Sequence, residues 1–164
     1  MKKFELTSET KINIFGKKLF RIKALISFGV VKTGETGGWV EKEENVNQSG
    51  NAWVFGNAEV SGNAEVSGNA EVSDNAWVSG NARVFGNADY ATIHGFGTQF
   101  RTTTFFRCKD KQVKVSCGCF YGTIPEFREQ VKNTRKGKIA EEYLMIADLM
   151  EKHFCRRSKI EEAS

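Results

Sequence analysis

A six-residue repeat, Asn-Ala-x-Val-x-Gly, runs through residues 51–90 and constrains the fold of this chain more than any other feature. Asparagine opens each hexad, alanine follows it, and valine comes two residues after the alanine. The opening asparagines are Asn51, Asn57, Asn63, Asn69, Asn75, Asn81 and Asn87. Asp74 replaces the closing glycine once, and Tyr90 takes the place of the last valine. A fixed period of this kind is typical of stacked repeat architectures.

Each hexad predicts a short strand followed by a corner. Alanine and valine two residues apart face the same side of a strand, while glycine and asparagine tolerate the positive φ angles of tight corners. Three hexads then complete one turn of the chain, so residues eighteen apart become parallel neighbours. We therefore expect Glu59 beside Trp77, Glu65 beside Arg83, and a ladder of Asn51, Asn69 and Asn87.

This pattern resembles the left-handed parallel β-helix of hexapeptide-repeat proteins, and the resemblance implies the left hand. The predicted fold is mainly β: a short left-handed parallel β-helix with an N-terminal β cap and a C-terminal α+β module. The predicted segments are a β-hairpin cap (1–37), the hexapeptide-repeat β-helix (38–92), the C-terminal module (93–156) and a polar tail (157–164).

The flanks carry ordinary strand and helix signals. Strand-like runs at 11–15 and 19–26 surround Gly16-Lys17-Lys18, which indicates a hairpin, and residues 33–38 are expected to form a loop. Two further strands are predicted at 100–107 and 112–117. Thr123-Ile124-Pro125-Glu126 combines a capping box with an early proline, which predicts a helix start. A second helix has its expected apolar face at Ile139, Tyr143, Ile146, Leu149, Met150 and Phe154.

Composition excludes several classes of protein. No apolar run is long enough to span a membrane, and no apolar segment follows the basic N-terminus, so we expect a cytoplasmic protein with reduced thiols. The net charge of +4 is concentrated in the two flanks and permits an anionic partner. Scattered basic residues and the lack of a known nucleic-acid module argue against binding to bulk nucleic acid.

Large residues at outward positions of the repeat need a covering surface. Trp53, Phe55, Trp77 and Phe85 are unusual on a solvated face. Two interpretations remain open: the flanking segments of the same chain cover them, or they form a subunit interface. A short repeat array is marginal alone and needs caps or partner subunits. A homo-oligomer is expected, and proteins of this shape favour a trimer.

A candidate anion site lies on the strand at 99–107. Gln99, Arg101, Thr103 and Arg107 are predicted to share one face, and arginine with nearby hydroxyl and amide groups suits a phosphate or carboxylate. Arg21 and Lys23 of the cap are possible contributors. The alternative is a solvated polar face, or hydrogen bonds that tie the C-terminal module to the repeats.

Two other chemistries have weaker support. His94 is the one plausible general base if the chain is a coenzyme A-dependent acyltransferase, and otherwise it is an ordinary loop histidine. Cys108, Cys117 and Cys119 could supply thiolates to zinc, with Cys155 or His153 as a fourth ligand. Cys-x-Cys is not the usual zinc spacing, so buried free thiols are the favoured interpretation and no cofactor is predicted.

Several segments resemble a specific group of hexapeptide-repeat proteins encoded by phages and prophages. The similar segments are residues 28–32, 37–45, the repeats, 99–106, 117–123 and 141–144. The chain departs from the pattern at Thr134-Arg135-Lys136-Gly137, where the group tends to have Thr-His-Gly, which puts any role of that histidine in doubt here.

The resemblance implies an architecture and a viral origin more than a chemistry. We expect a non-enzymatic binding protein of an infected or lysogenic bacterial host. The leading hypothesis is counter-defence, in which the protein sequesters a host immune protein or an anionic signalling nucleotide at its caps or subunit interfaces. The alternatives are a hexapeptide-repeat acyltransferase and a structural, trimerising protein associated with virions.

Overall fold

The N-terminal segment is an antiparallel sheet that continues into the repeats. The structure is a computed structural model that describes the backbone of residues 1–163 and the side chains of residues 1–155. Strands β1 (Phe4–Ile12) and β2 (Lys18–Ala24) form the hairpin predicted around Gly16, and β3 (Thr36–Val40) pairs antiparallel with β2. On its other side, β3 pairs parallel with the second repeat strand. The cap and the repeats therefore share one sheet.

The hexads form two-residue strands that pair in parallel with the hexad three places away. These strands are β4 (Trp53–Val54), β5 (Glu59–Val60), β6 (Glu65–Val66), β7 (Glu71–Val72), β8 (Trp77–Val78) and β9 (Arg83–Val84). The predicted neighbours are confirmed, since Glu59 lies beside Trp77 and Glu65 beside Arg83. Four closing glycines and Asp74 have φ between 57° and 65°, which is the corner geometry expected of them.

The asparagine ladder is confirmed for its first step only. Asn51 Nδ2 donates to Asn69 Oδ1 at 3.3 Å. Asn87 lies in a single-turn 3₁₀ helix (Asn87–Asp89), and its Oδ1 accepts a hydrogen bond from the Glu71 backbone N–H at 2.8 Å. A second such turn, Glu43–Asn45, precedes the repeats. The helical turn at Asn87 redirects the chain out of the repeat.

The C-terminal segment is an antiparallel sheet covered by two helices. Its strands are β10 (Tyr90–Phe96), β11 (Arg101–Arg107), β12 (Val113–Cys117) and β13 (Phe120–Thr123), and the helices are α1 (Ile124–Thr134) and α2 (Gly137–Ala163). The predicted capping box is confirmed: Thr123 Oγ1 accepts from the Glu126 N–H, and Glu126 Oε1 accepts from the Thr123 N–H. The Thr123 N–H and the Thr123 hydroxyl both donate to Glu126 Oε1, and these two hydrogen bonds lower the pKa of the Glu126 carboxyl.

Strand β11 lies between two hydrophobic cores. Phe106 packs into the core of the repeats, which is built mainly from the alanines and valines of the hexads. Phe105, its neighbour along the strand, packs into a second core with Phe127, Tyr143 and Phe154 of the helices. Successive residues of a strand face opposite sides, so this one strand joins the repeats to the helical layer.

The predicted fold class is wrong. The five-stranded sheet, in the order β1-β2-β3-β5-β8, is mixed, because its first three strands are antiparallel and only β3, β5 and β8 are parallel. The four-stranded sheet is antiparallel throughout, and two helices cover it. The architecture is thus a mixed α and β arrangement rather than a mainly β, left-handed parallel β-helix. The repeat occupies only residues 51–90, and the longer flanks decide the class.

Three local predictions also need correction. Thr36, in the expected loop at 33–38, begins β3, because Trp39 and Val40 are in register with Glu59 and Val60. Residues 90–96 form β10, which was not predicted. Leu149 is exposed rather than part of the buried face of α2.

The side chains of the predicted polar tail, 157–164, lie outside the described residues. Within residues 1–163, no helix has the length and apolar character needed to cross a membrane.

Candidate ligand-binding cleft

A cleft of about 530 Å³ opens where the cap, the repeats and the C-terminal sheet meet. The hairpin contributes Lys11 and Ile14, and the hexads contribute Glu59 and Trp77 with Asn57 and Asn75 at their corners. The C-terminal sheet contributes His94, Phe100, Arg101, Thr102 and Gly118. No other cavity described in the structure combines all three segments with a cluster of ring and charged side chains.

The floor of the cleft is formed by Glu59 and Trp77, which are parallel neighbours on β5 and β8. The Trp77 backbone N–H donates to Thr104 Oγ1 at 3.0 Å, and the Phe15 ring meets the indole edge-on at 6.1 Å. The hydrogen bond holds the Trp77 backbone, and the contact with Phe15 restricts the half-buried indole before any ligand arrives. A preorganised ring loses little conformational entropy on binding.

An ion pair beside the indole neutralises the buried carboxylate. Glu59 is only 8% exposed, and its Oε2 lies 3.1 Å from Lys11 Nζ. Its Oε1 accepts from Asn13 Nδ2 at 3.4 Å. The Lys11 ammonium also lies 4.7 Å from the centre of the Trp39 ring. These contacts tie the hairpin to the repeats and define one wall of the cleft.

The C-terminal side of the cleft carries two exposed rings, His94 and Phe100, and the guanidinium of Arg101. Arg101 Nη2 donates to Gln99 Oε1 at 2.7 Å, and a guanidinium has five N–H donors, so this bond leaves donors for an anion. His94 Nδ1 lies 3.0 Å from Thr102 Oγ1. Phe100 is 64% exposed and has φ of 53°, which is uncommon for a bulky residue. Residues with a strained backbone conformation are often found at functional sites.

The predicted anion site is only partly assembled. Arg101 lines the cleft and is hydrogen-bonded to Gln99, which does not line it. Thr103 is 1% exposed and donates to Cys117 Sγ at 3.2 Å. Arg107 donates to the Phe154 carbonyl at 2.8 Å and lies 3.3 Å from Asp89. Strand β11 begins at Arg101, so Gln99 lies in the turn before the strand and does not share its face. Arg101, Thr103 and Arg107 alternate along β11 together with Phe105, which packs against the helices. The hydrogen bonds of Thr103 and Arg107 lie within the C-terminal module, and only the ion pair of Arg107 with Asp89 ties the module to the end of the repeats.

The two cap residues of the predicted site lie elsewhere. Arg21 donates to the Gly37 carbonyl at 2.7 Å, pairs with Glu9 at 3.2 Å and stacks 4.4 Å from the Trp39 ring. Lys23 is exposed on β2, between Glu5 of β1 and Thr36 of β3. Neither residue lines the cleft.

The four predicted interface aromatics have different surroundings. Trp53 is 1% exposed, beneath the Phe4 and Phe28 rings, which lie 5.9 and 5.2 Å away. Intramolecular coverage therefore accounts for Trp53, and in part for Trp77 through Phe15. Phe55 is half-buried, while Phe85 remains 63% exposed.

Histidine and cysteine placements separate the weaker chemistries. His94 lies in β10 rather than in a loop, and it lines the cleft. Cys108 is buried, Cys117 half-buried and Cys119 exposed. Among the described residues, no group of three or more His, Cys, Asp or Glu side chains is arranged to hold a metal ion.

Sequence reasoning missed several residues of the cleft. Lys11, Phe100 and the corner asparagines Asn57 and Asn75 were not candidates, and Glu59 was considered only as a neighbour of Trp77. The eighteen-residue register was the available signal for Glu59, Asn57 and Asn75. No sequence signal linked Lys11 to Phe100, because their proximity depends on how both flanks pack against the repeats.

Comparison with known proteins does not identify the chain. No protein-family model matches it, and no curated protein matches it.

Proposed function

We propose that this protein binds a small anionic ligand with a planar ring, of the nucleotide class, in the cleft between cap, repeats and C-terminal sheet. One observation carries the proposal: two rings, Trp77 and Phe100, line the same cleft as the cations Lys11 and Arg101. The two rings come from different segments of the chain, and so do the two cations. A protein core does not require these rings and charges to meet at a solvent-accessible cleft.

The chemistry of the lining fits both halves of a nucleotide. Stacking of a base on an aromatic side chain contributes about 1–3 kcal/mol. A hydrogen bond from a charged donor to a phosphate contributes about 1.5–3 kcal/mol. Arg101 supplies such donors, and the carboxamides of Asn57 and Asn75 offer donors and acceptors to a base edge. The ion pair between Lys11 and Glu59 leaves Arg101 as the main positive charge facing the ligand.

The resemblance to phage and prophage proteins suggests a biological role. We propose counter-defence by sequestration, in which the protein holds a host signalling nucleotide without converting it. The exposed Arg101 and Phe100 would act as the entry side of the cleft, and the fixed indole of Trp77 as its floor. In this role His94 is a ligand contact rather than a general base.

Binding is tested by titration calorimetry and thermal shift with cyclic AMP, cyclic di-AMP, ADP and orthophosphate as probes. We expect at least one nucleotide to raise the melting temperature, and Arg101→Ala to weaken its binding at least tenfold. Arg83→Ala is the matched control, because Arg83 is an exposed arginine of the repeat on a different ladder. Phe100→Ala is paired with Phe85→Ala, since the two rings are equally exposed.

Two results would refute the proposal. One is the absence of any shift with all four probes, and the other is an equal loss of binding in the control variants. Native mass spectrometry of the same preparation detects a retained small molecule. It also counts subunits, which tests the prediction that the protein is a homo-oligomer and that the oligomer is a trimer.

A further inference from the structure

The turn between β12 and β13 carries two thiols. Cys117 ends β12, Phe120 pairs with it across the hairpin, and Gly118 and Cys119 form the two-residue connection. Gly118 has φ of +58°, as glycine does at the first position of a type II′ turn. Cys117 is half-buried and Cys119 is exposed, yet both line one small cavity of about 80 Å³.

The backbone separation of Cys117 and Cys119 suits a disulfide. Consecutive Cα atoms are about 3.8 Å apart, so a tight turn holds residues i and i+2 within the separation of about 4.4–6.8 Å that a disulfide spans. Both residues also line the same small cavity, which places them on a common surface of the turn. A ring closed over one residue is strained, and strained exposed disulfides are the readily reduced, regulatory kind.

The surroundings connect this turn to the ligand-binding cleft. The Arg101 guanidinium packs against Gly118 so closely that a Cβ at that position would overlap Nη1. Arg101 lines both the small cavity and the cleft. Cys117 Sγ also accepts a hydrogen bond from Thr103 Oγ1 at 3.2 Å, and burial together with contacts to Cys117 raises the pKa of Tyr143. A change in the turn therefore reaches Arg101 directly.

The other two cysteines have no such arrangement. Cys108 is buried, and burial, reinforced by Asp110, raises the pKa of its thiol to about 11. Cys155 is exposed, but it lines a different cavity in which no second cysteine is present. The chain thus contains its own comparison between a paired thiol, an isolated exposed thiol and a buried thiol.

We propose that Cys117 and Cys119 form a reversible dithiol–disulfide switch that is oxidised by a small-molecule disulfide. The exposed Cys119 thiolate attacks one sulfur of that disulfide, forms a mixed disulfide and releases one small thiolate. The Cys117 thiolate then attacks the Cys119 sulfur and expels the second. The protein loses two electrons and two protons, and the small disulfide is reduced to two thiols.

Closure of the ring alters the turn on which Arg101 rests. The consequence for binding rests on the proposed function, because Arg101 supplies the main charge of the cleft. The oxidised protein is expected to bind a nucleotide probe about tenfold more weakly than the reduced protein, and dithiothreitol is expected to restore the affinity.

The modification is tested on the full chain, independently of any ligand. The reduced protein is incubated with glutathione disulfide, alkylated and digested with trypsin. Residues 115–128 form one tryptic peptide, which contains Cys117 and Cys119 and no other cysteine. We expect this peptide to lack two hydrogens and to resist alkylation, while Cys155 carries glutathione and Cys108 stays reduced. Cys119→Ser abolishes the internal disulfide, whereas Cys155→Ser leaves it intact.

Other outcomes separate the two proposals. The switch is overturned if Cys119 behaves like Cys155 and ends as a mixed disulfide with glutathione, or if dithiothreitol does not reverse the oxidation. The coupling to Arg101 is overturned if the internal disulfide forms and cyclic di-AMP binds both forms equally. If neither form binds any nucleotide, the proposed function and the coupling fail together, and the mass of the peptide still decides whether the disulfide exists.

Discussion

The interior of the hexads is filled by alanine and valine, whereas the C-terminal module is filled by interlocking rings. In the repeats, the side chains of one alanine and one valine recur in the hexads, and backbone hydrogen bonds hold each hexad against the hexad three places away. In the module, the Phe127 ring meets Phe105, Phe120 and Tyr143 at distances of 5.6–6.1 Å. The two regions are joined through β11.

This difference teaches which features each region depends on. Small identical side chains are interchangeable, so the repeats depend on their backbone corners more than on any single side chain. Large rings with unique partners are not interchangeable, so the module depends on individual residues. The candidate cleft lies between the two regions. The C-terminal module contributes the charge of Arg101, and the repeats contribute the indole of Trp77.

Removal of a ring from the module should have the largest effect on stability. Phe127→Ala is expected to lower the free energy of unfolding by about 3–5 kcal/mol, because Phe127 is fully enclosed by three other rings. Val72→Ala in the repeats should lower it by only about 2 kcal/mol, since fewer buried carbons are lost. Urea denaturation followed by circular dichroism measures both variants.

Hydrogen exchange shows where each variant loosens. Phe127→Ala should expose the amides of α1 and α2 and leave the hexads protected. Equal costs for the two substitutions, or equal exchange in both regions, would mean that the two cores are not built differently.

Substitution of corner glycines should show the dependence of the repeats on backbone geometry. Gly56→Ala is expected to cost about 1–2 kcal/mol, because φ is 57° and no atom outside the corner lies within 4 Å of the new Cβ. Gly68→Ala should cost about 1–3 kcal/mol more, since its Cβ would overlap the Phe85 carbonyl oxygen and the backbone must shift. Urea midpoints of the two variants show which substitution destabilises the protein more. A smaller effect of Gly68→Ala would contradict the dependence of the repeats on backbone geometry at their corners.

Two buried ionisable groups should give the stability opposite pH slopes. Burial lowers the pKa of Lys3 from 10.5 to about 8, although its ammonium donates to the Ala52 carbonyl at 2.7 Å. Between pH 8 and 10.5 the unfolded chain binds more protons at this site, so Lys3 makes stability rise with pH. Burial, with a contribution from Asp110, raises the pKa of Cys108 from 9.0 to about 11, so between these values Cys108 makes stability fall.

These slopes are read as differences between variants. The unfolding free energy of Lys3→Met should rise less steeply above pH 8 than that of the unmodified chain, and that of Cys108→Ala should fall less steeply above pH 9. Denaturation at several pH values provides both comparisons, and a slope that Lys3→Met does not change would exclude the assigned role of Lys3.

The smallest effect is expected where the repeat already departs from glycine. Asp74 has φ of 61° at the corner position that glycine occupies in the neighbouring hexads. Asp74→Gly should stabilise the protein by at most about 1 kcal/mol, because it removes the left-handed penalty of a side chain but increases the entropy of the unfolded chain. A loss of stability instead would show that the aspartate side chain supports the corner.

Local chemistry made part of the fold predictable. The hexad period indicated that Glu59 lies beside Trp77, and Thr123 with Glu126 indicated the start of α1, because both depend on residues near in sequence or related by a fixed spacing. The fold class could not be predicted in this way, since β3 joins an antiparallel hairpin to a parallel repeat strand. Strand β10 was missed because the hexad period ends at Tyr90 and His94 was interpreted as a loop residue.

The candidate site was less predictable than the fold. Arg101 was identified from its residue type and strand position, whereas Thr103 and Arg107, on the same face, are occupied by contacts to Cys117 and Phe154. Alternation along a strand tells which residues share a face, but it does not tell what covers that face. Lys11 reached the cleft only through the fold of the hairpin.

The sequence by itself determined the repeat register, the positive φ angles at the closing residues of the hexads and the capped helix, because each follows from short-range geometry and from a strict period. Tertiary structure alone decided the mixed sheet, the coverage of Trp53 by Phe4 and Phe28, and the cleft beside Trp77. These features depend on the packing of flanks against a repeat that is shorter than the rest of the chain. Such packing is set by the burial of particular side chains, which no period in the sequence encodes.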